Sequence, residues 1–581
     1  MTRVARWIDW LRQQGWLGQQ DGFEQQSSMR VGQSRAGRLD RLWALGLWLA
    51  ALPLYWVNLG GPALRDWDEG TVAQVAREIA QMGRSPAEFW QALLHPTLWN
   101  QAYVNKPPLM HGLIALLFSA FGESEWTARL PGAMLTALSV PLLYLIGREL
   151  WATRRPALFG ALAYLTLLPV VRHGRLAMLD GAILCFYLLT VLAGLRSRRD
   201  VRWSWGIGLG IGLMCLTKGA LGLLLGGLLL GFLAWDTPRL WRSGHLWAGL
   251  GLGLAPAVAW YSNQALGGAE DFVQRGLGEQ TFSRLWKPVE NHRGSVLYYV
   301  GELLEWGWPW LMFLPWGIRQ AWRERSLSWG KLALVLGGGY FGVISLARTK
   351  LPWYIMPLYP LVALAVAPVL AEAWNRFGGA GIGPFTPGRS PKIWLGLLLL
   401  LSAVAAAGGF YFLTQGQESE LVLIVPLALL AVGMALSAWR LWRRDALWIV
   451  LLAWSWYVAI FALMASPLWV FELSEAEPIK PMASAIRTAP DASLPVYTTN
   501  PIERPSLSFY SQTRVIPICP LPEAFWPTEP FYFWLGDRQL IDSQLPIAVA
   551  EGWKLQGPLQ FSQPTSEDEL RSRISQLCQG R

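Results

Sequence analysis

Charged side chains are scarce in this sequence. Asp, Glu, Lys and Arg together make up 15% of its 581 residues, where ordinary soluble domains carry roughly 25%. That shortfall argues against a soluble globular chain of this length. The 4 cysteines have no spacing that fits a metal or redox motif. Cys185 and Cys215 fall in apolar runs and read as small core residues. Cys519 and Cys578 share a polar C-terminal region, where a disulfide is open to them if that region is exported. The sequence has no glycine-rich nucleotide loop, no long-period repeat, and no aromatic-basic module of the kind that binds nucleic acid. Nothing before Leu42 resembles the short apolar core of a cleavable signal peptide.

What the chain has in abundance is apolar sequence. Hydrophobic residues make up 53%, mean hydropathy is +0.29, and apolar runs of membrane-spanning length recur along most of the chain. The 36 Trp residues gather near the ends of those runs, as at Trp43, Trp48 and Trp56, at Trp306, Trp308 and Trp310, and at Trp454 and Trp456. That is the distribution of an interfacial aromatic belt. The net charge of +10 comes largely from short loops between runs, so membrane topology accounts for it better than a nucleic acid does.

Loop charges order the spans. Residues 1–41 are polar and carry 7 Arg, which places the N-terminus in the cytoplasm. A first span over 42–59 puts the loop 60–128 outside. The apolar run Pro107–Phe121 is about 22 Å long as a helix, short of a ~30 Å hydrocarbon core, and reads as a juxtamembrane or re-entrant helix. The basic loops 148–155, 196–202, 239–242, 319–331, 376–392 and 440–444 then all fall inside, while 172–179, 264–295 and 417–420 fall outside. The expected fold is mainly α and polytopic, with about thirteen transmembrane helices and a long first external loop. From 466 to 581 polar, proline-rich sequence carries short strand-like runs at Leu494–Thr499, Arg514–Ile518, Pro530–Leu535 and Ile547–Ala550, the pattern of a small external α/β domain. The expected divisions are therefore 1–41, 42–465 and 466–581.

The chemistry-bearing residues gather on the expected outer face. Asp66, Asp68 and Glu69 place three carboxylates within four residues just after the first span. Such a group can act as a general base toward a hydroxyl or hold a divalent cation; the simpler alternative is a solvated loop. Lys106 precedes two prolines that fix the backbone entering the next helix, and there it can meet a lipid phosphate or snorkel at the interface. Arg348-Thr349-Lys350-Leu351-Pro352 forms a second basic-proline site, with Trp353 and Tyr354 beyond it. The loop 264–295 adds Arg275, Glu279, Arg284, Lys287, Glu290, His292 and Arg293. Asp180 stands at a helix start and Lys218 at a helix junction.

Taken in order, these motifs resemble a family. Asp-Trp-Asp-Glu (66–69), Ala-Arg-Glu (76–78), Lys-Pro-Pro (106–108), Ala-Arg-Leu-Pro (128–131), Arg-Leu-Ala-x-x-Asp (175–180), Leu-Thr-Lys-Gly (216–219) and Lys-Leu-Pro-x-Tyr-x-x-Pro (350–357) follow one another. The set is similar to the GT-C superfamily of polyprenyl-phosphate-dependent glycosyltransferases, in its aminoarabinose lipid A transferase and protein O-mannosyltransferase-like branch, over residues 42–370. The resemblance implies a catalytic carboxylate at Asp68 of the Asp68–Glu69 pair, with Asp180 supporting the site. It also implies a carrier phosphate held by Lys106 with Arg284, His292 and Arg293, and Tyr103 and Tyr354 facing lipid or phosphate. Lys350 shares the expected external face with Lys106, where the two cations can converge on one phosphate. Two departures stand out. Asn105 replaces the acidic residue that aminoarabinose transferases carry before Lys-Pro-Pro, which bears on metal binding, and Val72 and Gln74 replace an aromatic-acidic pair.

The expected activity is inverting transfer of a sugar from a polyprenyl-phosphate donor to a lipid, glycan or protein acceptor at the outer face of the cytoplasmic membrane. No nucleic acid partner is expected. A divalent metal is left open, with Glu69 and His292 as candidate ligands. A protein O-glycosyltransferase or a glycan ligase is the neighbouring alternative. A secondary transporter would instead show paired broken helices and ionisable residues at mid-membrane, and a scaffold would leave the ordered motifs without a purpose.

Overall fold

The computed structural model describes residues 26–66, 68–267, 272, 294–377, 392–470, 479–488, 496–498, 503–517, 531–535, 546–550 and 553–559. The chain divides into two compact units. Met1–Leu59, Val104–Met110 and Gly132–Trp469 form the first, and Gly60–Tyr103, His111–Pro131 and Val470–Arg581 form the second.

The protein is a multi-pass membrane protein built mainly from helices. Among the described residues, 6 helices are long and apolar enough to cross a membrane, or 7 if the pair Arg154–Leu165 and Leu168–Gly174 is one span. That pair runs from the loop expected at 148–155 to the one expected at 172–179, and it is bent by 59°. The bend has a local cause: Pro169 lacks the N–H that would bond the Leu165 carbonyl four residues back, and the chain turns at Leu167, whose backbone is extended. Between the basic loops 196–202 and 239–242, the helices Ser204–Lys218 and Ala220–Asp236 are 15 and 17 residues long, or about 23 and 26 Å. Leu109–Phe121 is a 13-residue helix, as short as its apolar run implied.

Inside the first unit, Ser204–Lys218 packs against Gly244–Gly267. A Cβ on Gly208 would lie 1.8 Å from the Gly249 carbonyl oxygen. Only glycine allows that approach, the small-residue device of membrane helix pairs. Arg175 is fully buried and satisfies carbonyls that helix ends leave over. It donates to Leu54 O, Val57 O and Met464 O and lies over the Trp469 ring.

The loops expected inside are tied to one another. Asp40 accepts from Arg148, Arg154 and Tyr144. Glu149 pairs with Arg196 and Arg199. Asp236 pairs with Arg198 and Lys331, and Ser328 bonds both Arg198 and Asp236. Four basic loops thus share one end of the bundle, which follows from pairing each carboxylate with cations that sequence order keeps apart.

The second unit opens with Asp68–Met82, whose buried face includes Val72, Val75, Ala76 and Ile79. Pro86–Leu94 follows, with Ser85 and Glu88 forming a capping box. A small core of Ile479, Met482, Ala483, Ile486, Val496, Leu507 and Val515 supports a five-stranded sheet. In that sheet Val496–Thr498 lies parallel to both Val515–Pro517 and Phe531–Leu535. Trp553–Leu559 is antiparallel to Phe531–Leu535 on one side and to Pro546–Ala550 on the other. Four of these strands fall on the four expected runs. The fifth, Trp553–Leu559, contains Gly557 and Pro558, which read as turn punctuation.

Candidate active site

The acidic loop belongs to the second unit. Glu69 and Arg129 are both fully buried. Arg129 donates from Nε and from one terminal nitrogen to the two Glu69 oxygens, each at 2.8 Å. It also donates to Pro62 O at 2.7 Å and Ala63 O at 2.9 Å. The Arg65 N–H donates to Glu69 at 3.0 Å. Glu69, a candidate from sequence for catalysis and for metal binding, is placed instead in a closed ion pair that fixes the turn 62–69. A metal ion there would have to displace a bidentate guanidinium. Among the described residues no group of three or more His, Cys, Asp and Glu is arranged to hold a metal.

Asp68 is the first residue of Asp68–Met82 and is half-buried. A carboxylate is favoured there by the helix dipole. Its N–H donates to Asp66 O at 2.8 Å. Tyr103 is buried and packs edge-on against His111 at 5.5 Å. Burial, and then the negative charge of Asp68, raise its phenol well above the usual tyrosine range.

The segment leading to Tyr103 is a hairpin, Thr97–Leu98 with Gln101–Ala102, turning at Trp99 and Asn100. Both turn residues have positive φ, 54° and 59°, as the favoured two-residue hairpin turn requires. Tryptophan is costly in that conformation. The Glu78 carboxylate compensates by accepting from Trp99 N at 2.6 Å, Asn100 N at 3.3 Å and the Thr97 hydroxyl. Glu78→Ala removes all three bonds and is expected to destabilise the protein by ~2–3 kcal/mol. Thermal unfolding in detergent measures it, and an unchanged midpoint would show that the turn holds without the carboxylate. Gln74, one of the departures from the family pattern, is buried in the same network and bonds Glu78 and Arg77.

A cavity of about 270 Å³ lies in the first unit. Among the described residues that line it, two are lysines, Lys106 and Lys218, and none is acidic. Tyr261, Tyr340 and Tyr354 add hydroxyl-bearing rings, while Leu221, Leu224, Trp260, Val343 and Ile344 make an apolar wall. Lys218 ends the helix Ser204–Lys218, and Asp180 begins Asp180–Arg196, so each charge is favoured by its helix terminus. The Lys218 ammonium donates to both Asp180 oxygens, at 2.7 and 2.8 Å. It lies 5.8 Å from the Tyr354 ring centre, and Tyr340 donates its hydroxyl to Tyr354 O at 2.7 Å. Gly219, at φ +52°, breaks the helix immediately after Lys218.

The structure therefore gathers Lys106, Lys218 and Tyr354 at one cavity, with Asp180 bonded to Lys218. Lys350 is directed elsewhere. It is buried and donates to Ile344 O at 2.8 Å and Ser345 O at 2.6 Å, the last carbonyls of a helix, and burial lowers its ammonium below the usual lysine range. Arg284, His292, Arg293 and the Cys519–Cys578 pair lie outside the described residues. The roles of Arg129, Lys218 and Tyr261 were not read from sequence, although the first two stand in motifs that were.

Comparisons with known proteins follow the same lines. Residues 105–262 match the family described as dolichyl-phosphate-mannose-protein mannosyltransferase. An undecaprenyl phosphate-alpha-4-amino-4-deoxy-L-arabinose arabinosyl transferase of Pseudomonas aeruginosa is 30% identical over 447 residues, 74% of this chain and 77% of the relative. A transferase of the same description from Pseudomonas fluorescens is 31% identical over 339 residues, 56% of this chain and 59% of the relative. The chain thus spans about three fifths of the length of that second relative. The crystal structure of ArnT from Cupriavidus metallidurans bound to undecaprenyl phosphate has the same fold, with a TM-score of 0.68 at 19% identity over 90% of this chain and 98% of that one.

Proposed function

This chain belongs to the GT-C family of membrane glycosyltransferases that includes the undecaprenyl phosphate-aminoarabinose arabinosyl transferases, and from that premise we propose that it transfers a sugar from a polyprenyl phosphate to an acceptor hydroxyl or phosphate. The observation that carries this reading is the cavity with two lysines on apolar walls. Such a site suits an amphiphile with an anionic headgroup: the ammonium groups meet the phosphate as point charges, and the leucines and aromatic rings meet the prenyl chain. As the bond to the anomeric carbon breaks, negative charge grows on the departing phosphate. Lys106 and Lys218, held in place before the reaction, stabilise that charge without reorganisation. Asp180 orients Lys218 through two hydrogen bonds.

Asp68 is the proposed base. It takes the proton of the acceptor hydroxyl, or orients an acceptor phosphate that is already anionic, and attack opposite the leaving phosphate inverts the anomeric centre. Glu69 serves by fixing the turn through Arg129 rather than by touching substrate. No step is assigned to a metal. The reaction is placed at the outer face of the cytoplasmic membrane, with the N-terminus and the basic loops in the cytoplasm. A lipid-linked donor fits that side, where nucleotide sugars are scarce. The names of the relatives nominate aminoarabinose as the sugar, and the sequence resemblance nominates lipid A as acceptor.

The test is transfer by the purified protein from undecaprenyl phosphate-aminoarabinose to lipid A, followed by mass spectrometry, with a polyprenyl-phosphate hexose as the parallel donor. Product from either donor, with release of undecaprenyl phosphate, supports the reading and names the sugar. Neither product, from protein that binds the donor, would count against it. Lys106→Ala is expected to weaken undecaprenyl phosphate binding by ~10–100-fold, the loss of one charge-assisted hydrogen bond. Native mass spectrometry reads that affinity, and an unchanged value would remove Lys106 from the phosphate site.

A further inference from the structure

We propose that Arg504, Ser506 and Tyr510, which lie more than 430 positions along the chain from the acidic loop, are positioning residues for Asp68. The inference rests on the reading of Asp68 as the base. All the residues concerned belong to the second unit.

The Asp66 side chain is fully buried. One of its oxygens accepts from the Ser506 N–H at 2.9 Å and from the Ser506 hydroxyl, and the other accepts from Arg504 Nε. Its backbone carbonyl accepts the Asp68 N–H. Asp66 is thereby held through its side chain while its backbone holds Asp68. Two residues before Asp66, the Leu64 N–H donates to the Tyr510 hydroxyl at 2.7 Å, and that hydroxyl donates to Glu125 at 2.8 Å.

Beyond Asp68 the same segment touches the helix. A Cβ on Gly70 would lie 2.4 Å from Ser506 N, so the backbones meet directly. Arg77 donates to Phe509 O at 2.8 Å, and its guanidinium stands 3.7 Å from the centre of the Phe509 ring. Residues 64, 66, 70 and 77 are thus gripped by the stretch 504–510, on both sides of Asp68.

Packing alone does not call for this arrangement. Burying Asp66 and Arg504 costs desolvation that their attraction only partly returns, and apolar side chains of similar size would serve stability as well or better. What directional hydrogen bonds add is a defined orientation of the backbone that presents Asp68. The pairing also offsets the Asp66 charge, as Arg129 offsets that of Glu69, relieving the repulsion of two neighbours on the Asp68 carboxylate.

Ser506→Ala, Arg504→Lys and Gly70→Ala test this in the full-length protein, with kcat, the Kd for undecaprenyl phosphate and the thermal midpoint measured for each. The expected result is a fall in kcat of at least ~10-fold, since a misplacement of about 1 Å can cost ~100-fold, with donor affinity unchanged. In an Asp68→Asn background, Ser506→Ala should produce no further loss, because the group it positions has gone. Wild-type kcat in Ser506→Ala and Arg504→Lys, with or without a lower thermal midpoint, would overturn the inference. So would losses that multiply in the Asp68→Asn background. If Arg504→Lys does not fold, Ser506→Ala decides. The two readings fail separately: an inactive Asp68→Asn beside a fully active Ser506→Ala removes only the positioning role, whereas a fully active Asp68→Asn removes the base and this inference with it.

Discussion

Asp68→Asn is expected to lower turnover by ~100–10,000-fold, the range over which a positioned general base contributes. The asparagine side chain keeps the shape of the carboxylate but cannot accept a proton at neutral pH. Because the proposed phosphate ligands are Lys106 and Lys218, affinity for undecaprenyl phosphate should stay within ~2-fold of wild type, so the loss appears in kcat. Steady-state transfer, measured beside donor binding, separates the two. A variant that turns over normally would show that the acceptor is activated by another group or arrives already ionised.

Arg129 carries the second large effect. Its guanidinium is the buried partner of Glu69 and also satisfies Pro62 O and Ala63 O. Arg129→Met leaves the carboxylate charged, buried and without its bidentate partner, and removing one member of such a pair typically costs ~3–5 kcal/mol. The thermal midpoint should fall sharply. Adding Glu69→Gln should recover part of the loss, because a neutral amide is less costly to bury than an unpaired charge. If Arg129→Met unfolds at the wild-type temperature, or if the second substitution makes it worse, the ion pair is not what holds the turn.

The parts of this protein that were legible in the sequence are those with a short-range signature. Apolar runs marked the helices, and the sign of each loop grouped 148–155, 196–202, 239–242 and 319–331 before the structure joined them through Glu149, Arg198, Asp236 and the bond from Arg239 to Arg198 O. Alternating short runs located the strands at Val496–Thr498 and Val515–Pro517. Lys106 stood out because two prolines follow it. For the three clustered carboxylates at 66–69 a solvated loop stood as the simpler alternative. Two of them are answered by arginines that local sequence does not point to, which lets the helix begin at Asp68.

What was not legible is pairing at a distance. Lys218 and Asp180 are 38 residues apart, Arg129 and Glu69 are 60 apart, and Arg504 and Asp66 are 438 apart. Each partner on its own looks like an interfacial anchor or a solvated charge, and no periodicity links them. The same limit applies to the C-terminal region, expected from sequence as a separate domain over 466–581. Its contacts with the first loop run through hydrogen bonds at Asp66, Leu64 and Arg77 and a close backbone approach at Gly70, which leave no pattern along the chain. Lys350 shows the converse. Its motif suggested a phosphate ligand, but its ammonium closes the end of a helix, a demand for cations that sequence does not distinguish from a ligand's.

The central claim is that the two-lysine cavity holds a polyprenyl phosphate. The most direct measurement is mass spectrometry of lipid that co-purifies with wild type and with Lys106→Ala under conditions that retain bulk phospholipid in both. The account predicts a polyprenyl phosphate, free or glycosylated, on the wild type and its depletion from the variant. Bulk phospholipid without any prenyl phosphate on the wild type, or equal prenyl phosphate on both proteins, would contradict it.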